Sequence, residues 1–76
     1  MNKARRKSLQ TAVAYIDKAI DIVRDVKYEE QWSLDNIPEN LQNSTKYEAM
    51  ENAIDNLEDV IDSLKEAYRS AEKAMD

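Results

Sequence analysis

Apolar residues recur along the second half of the chain at Tyr47, Met50, Ile54, Leu57, Ile61, Leu64, Tyr68, Ala71 and Met75, with gaps alternating between 3 and 4 residues. That spacing keeps one stripe of an α-helix turned towards a partner helix over about four heptads. The first half repeats the pattern at Leu9, Val13, Ile16, Ile20 and Val23, so two amphipathic helices are predicted, over about 3–30 and about 45–75. Joined by a turn they must lie antiparallel, which makes residues 1–76 a single helical hairpin of the all-α class.

Each stripe is bordered by further apolar or small residues. On the first helix Ala12, Ala19 and Val26 run beside it, and Tyr15 and Ile22 are assigned to the other flank. The second helix carries Ala53, Val60, Ala67 and Ala74 at intervals of seven. These faces are wider than a two-stranded seam requires, and a lone hairpin leaves part of them in water. A homodimer is therefore expected, two hairpins forming an antiparallel four-helix bundle through a two-fold axis, with Ile22, Val26 and Val60 as partner-binding residues.

Both patterns lapse between about 31 and 44, where Ser, Asp, Asn and the only Pro cluster. Pro38 drives Ile37 out of helical dihedrals and can open a short helical turn to about Gln42. Thr45 with Glu48 fits a capping box for the second helix, and Ser44 is an alternative cap. Trp32, Leu34, Ile37 and Leu41 are apolar residues in this polar stretch. They are expected to fold over the end of the helix pair as a plug; the competing reading makes Trp32 an anchor for a partner, since Trp is enriched at binding hot spots.

Composition changes the picture chiefly by exclusion. A chain of 76 residues draws little stability from one core, and with no Cys or His it has neither a disulfide nor a zinc site to help. Lack of His, Cys and Gly removes hydrolytic triads, thiol nucleophiles and glycine-rich phosphate cradles, so no catalytic residue and no cofactor is assigned and an enzyme is not expected. Acidic rows at Asp17, Asp21 and Asp25 and at Glu48, Glu51, Asp55, Glu58, Asp59 and Asp62 are read as solvated faces, not metal sites, because the carboxylates face outward. Tyr47 and Tyr68 are read as packing residues with their hydroxyls at the surface. No small-molecule substrate is evident. No run approaches the roughly 18–20 apolar residues of a membrane span, and the basic start lacks a signal-peptide core, so a cytoplasmic protein with no membrane partner is expected.

Charge is unevenly placed. Residues 1–9 and 63–76 hold seven basic and three acidic groups, net +4, and residues 10–62 hold four and thirteen, net −9, consistent with the total of −5. In a hairpin the termini meet, so one end is basic and the body and turn are acidic. Lys65, Arg69 and Lys73 share a helix face near a C-terminus, where cations suit the dipole. Lys3, Arg5, Arg6 and Lys7 oppose the dipole at a helix N-terminus and form a candidate phosphate-binding cluster. That supports an alternative role as a small nucleic-acid-associated accessory protein, against which stand the pI near 4.7 and the absence of aromatic residues in the basic run. The leading expectation is a protein-interaction or assembly module.

The segment Asn36-Ile-Pro-Glu-Asn-Leu-Gln, with Ser-Thr-Lys-Tyr-Glu-Ala-Met-Glu-Asn-Ala-Ile-Asp-Asn-Leu-Glu after it, to about Leu64, resembles short uncharacterised helical proteins of Gram-positive bacteria and their phages. The resemblance implies a bacterial or phage origin and carries over no functional residues. A dimer of hairpins is also similar in shape to the RNA-binding Rop bundle.

Overall fold

A computed structural model describes all 76 residues as two long helices and one short turn of helix. Helix α1 runs from Lys3 to Asp35, a 3₁₀ turn spans Glu39–Leu41, and α2 runs from Thr45 to Met75. The pair forms a rod of 60 × 14 × 13 Å with a radius of gyration of 17.4 Å. A compact chain of this length would have a radius of gyration of about 11 Å, so each helix is covered along one side only.

Helix α1 continues five residues beyond the expected end at 30. Its stripe does not stop at Val23: Lys27, Glu30 and Leu34 hold the next positions at gaps of 4, 3 and 4. The polar residues at 29–31 interrupt the hydrophobicity and leave the helix intact, because none of them breaks it. Termination comes at Asn36, whose backbone N–H and Nδ2 both donate to the Trp32 carbonyl, the latter at 2.7 Å, while the Ile37 N–H donates to the Leu34 carbonyl. Pro38 follows two residues later and cannot continue the ladder. The chain thus leaves the helix without any left-handed residue, in keeping with its lack of glycine.

Pro38 is extended, with ψ of 143°, and its carbonyl accepts from Leu41 to close the 3₁₀ turn. Helix α2 is capped by Ser44, whose hydroxyl accepts from the Tyr47 N–H at 3.2 Å, and Thr45 is already the first helical residue. The Thr45–Glu48 capping box therefore does not form. The alternative cap, Ser44, is the one that forms. At the other N-terminus Asn2 accepts from the Arg5 N–H at 2.8 Å. Ser44→Ala is expected to cost about 1 kcal/mol, seen as a lower urea midpoint with an unchanged slope.

Ile20, Leu34, Ile54 and Ile61 are buried, while the other apolar stripe residues are half-buried. Four buried side chains in a chain this long make a seam, not a globular core. The apolar plug forms only in part. Leu34 is buried and Ile37 half-buried, but Leu41 is exposed and Trp32 is 70% exposed. Once α1 reaches Asp35, Trp32 lies two residues from both Glu30 and Leu34, which puts it about 160° from each and on the outside of the helix.

Candidate functional site

The two flanks of the hairpin differ in chemistry. On one, Asp17, Asp21 and Arg24 of α1 line a shallow groove with Lys65, Arg69 and Glu72 of α2. The groove continues towards the turn, where Lys27 and Tyr28 face Glu58 and Asp62. The charged rows of both helices thus share one side of the rod. The rows that precede the seam on each helix then occupy the opposite side: Ala12, Ala19 and Val26 from α1, and Ala53, Val60, Ala67 and Ala74 from α2.

Tyr15 and Ile22 extend this second side; they do not fall on the other flank of α1. At 100° per residue, Tyr15 and Ile22 lie within about 20° of each other and about 40° from Ala19 and Val26, one row further from α2. Helix α1 therefore carries a single broad apolar face. Ile22 is 54% exposed and Val60 41% exposed, and Tyr15 and Val26 are likewise open to solvent. Between and beside them the surface is built from alanine, with Ser8, Ser33 and Ser63 around the edge. No acidic or basic side chain interrupts the α1 rows between Ala12 and Val26, a gap that α2 repeats from Ala53 to Ala74 along its own row.

Trp32 does not join this surface. It projects from the outer face of α1 near the turn, one helical turn beyond Tyr28, which is also exposed. Of the four partner-binding candidates the fold brings Ile22, Val26 and Val60 to one side and leaves Trp32 apart.

Lys27 is the residue that periodicity in apolar side chains alone overlooks. It sits in the seam, half-buried, and its Nζ reaches the Glu58 carboxylate at 2.9 Å, the one ion pair that crosses between the helices. The carboxylate is half exposed, so the pair stabilises the fold by less than about 1 kcal/mol. Its larger effect is on register, since a lysine at a seam position tolerates few alternative alignments. The signal for it in the sequence is the unbroken 4, 3, 4 spacing through Val23, Lys27, Glu30 and Leu34.

The basic end is divided in its duties. Arg6 is half-buried, and its Nε donates to the Met75 carbonyl at 3.1 Å, tying the start of α1 to the last turn of α2. A guanidinium at that place also meets the negative end of the α2 dipole. Lys3, Arg5 and Lys7 remain exposed and enter none of the three ion pairs. Arg69 pairs within its own helix with Glu66 at 3.0 Å. The acidic rows do not gather three ligands about one point, and no buried side-chain polar atom lacks a partner.

These arrangements suit the contact of one surface with another better than the holding of a small molecule, because the grooves are open and their polar groups are spread along the rod. No helix is long and apolar enough to cross a membrane. Compared with family models, curated proteins and solved structures, the chain matches none.

Proposed function

We propose that the chain is a non-enzymatic interaction or assembly module that associates with a second copy of itself through its apolar side, two hairpins making a four-helix bundle. The supporting observation is the exposure of Tyr15, Ile22, Val26 and Val60 along one side of a rod whose own seam buries only four residues. Fully burying one such side chain contributes about 1.5–3 kcal/mol, so covering this side adds stability comparable to that of the hairpin itself. A surface used by two identical copies must be self-complementary, and a face of alanines with a few large residues permits close approach about a two-fold axis.

Sedimentation equilibrium from low to high micromolar concentration tests the reading. The expected mass at the upper end is twice 8.8 kDa, with a melting temperature that rises with concentration. A compact, fully helical species of 8.8 kDa at high micromolar concentration would overturn it.

A further inference from the structure

We infer that the second copy lies antiparallel to the first, the basic terminal end of each rod beside the acidic turn end of the other, with the two-fold axis crossing the rod near its middle. The inference rests on the self-association proposed above and adds its direction. The large exposed apolar residues cluster about the centre: Tyr15, Ile22 and Val26 bracket the midpoint of α1, and Val60 stands at the midpoint of α2. A central patch allows two rods to overlap along their full length in either direction, so burial alone leaves the direction open. Charge decides it. Along the rod, the terminal end (residues 1–13 and 65–76) carries a net +4, the turn end (residues 25–54) a net −5 and the middle a net −4.

Packed helices lie about 8–10 Å apart, so the charges that end the apolar-side rows, Arg5 one heptad before Ala12 and Glu29 one heptad after Ile22, come within about one Debye length of the partner at 0.1 M salt. The ends of a single rod are separated by up to 60 Å, far beyond that range. Each end therefore responds to whichever end of the partner is placed against it and not to its own far end. A parallel pair sets the +4 ends together and the −5 ends together, while an antiparallel pair sets +4 against −5 twice; the middle faces itself either way. Like-charge juxtaposition is the stronger penalty and selects the direction.

The chain has no cysteine, so single thiols introduced at chosen places are unambiguous. Ser8 lies one heptad before Tyr15 and Ser33 one heptad after Val26; both are exposed at the border of the apolar side. They are about 37 Å apart along α1 and nearly equidistant from the middle of the rod. Ser8→Cys and Ser33→Cys are prepared separately, mixed, and treated with a short flexible bis-maleimide. The expected result at low salt is an excess of about tenfold of the mixed 8-to-33 product over either self-linked product, narrowing as salt is raised. Dominant self-linking overturns the direction while leaving association intact, as does a dimer mass with no mixed product. An excess indifferent to salt overturns charge as its cause. A monomer mass without cross-linking overturns the association and the direction together.

Discussion

Ile61→Ala is expected to leave the chain largely unfolded at low micromolar concentration. Ile61 is one of four buried residues and lies at the centre of the α2 stripe. Removing a buried isoleucine to alanine costs about 2–5 kcal/mol, of which the better helix propensity of alanine returns only a few tenths. A single small core without disulfide or metal supplies about 3–5 kcal/mol in total. The loss is therefore of the same size as the stability it is taken from. Far-UV circular dichroism reads the outcome directly as a fall in helicity at 25 °C, partly restored at high protein concentration where association holds the hairpin together. A cooperative melt close to that of the parent chain would show that the seam is not where the stability lies.

Val60→Asp is expected to have little effect on an isolated hairpin and a large one on the assembly. Val60 is 41% exposed, and substitutions at such positions usually stay within about 0.5 kcal/mol unless something covers them. In a four-helix bundle built on the apolar side the new carboxylate would be enclosed among alanine and valine with no cation to meet it. Uncompensated burial of a charge costs several kcal/mol, so the dissociation constant should rise by at least about a hundredfold. Gln10→Glu is the control. It adds the same charge to the charged side of the rod and should leave the sedimentation profile unchanged. Equal behaviour of the two variants would remove the apolar side from the account.

The parts of the fold legible in the sequence are those that periodicity determines. The stripe from Tyr47 to Met75 places α2 correctly, and its partner stripe from Leu9 to Val23 places most of α1. What was less legible involves polar residues in structural positions. Gln31 and the residues after it read as a turn because polar residues cluster there, yet the helix needs only that Lys27, Glu30 and Leu34 keep the spacing. Trp32 reads as a plug because it is large and apolar. Its fate depends on how far α1 continues, and an end at 30 rather than 35 would have freed it to fold back. The choice between Ser44 and Thr45 as cap turned on one residue of phase, which hydroxyl chemistry alone does not settle. For the candidate site, apolar rows on each helix were evident, but their union on one side required the antiparallel pairing. The charged groove formed by Asp17, Asp21 and Arg24 with Lys65, Arg69 and Glu72 fixes which side is which.

The outward position of Trp32 gives the chain an internal optical reporter. It holds the only indole, which stands in water on the back of α1, away from the side proposed for self-association. Its emission belongs in the long-wavelength, easily quenched range and should stay there if hairpins pair through the apolar side. A blue shift would therefore report a contact other than the proposed dimer, at a residue that such a dimer leaves untouched.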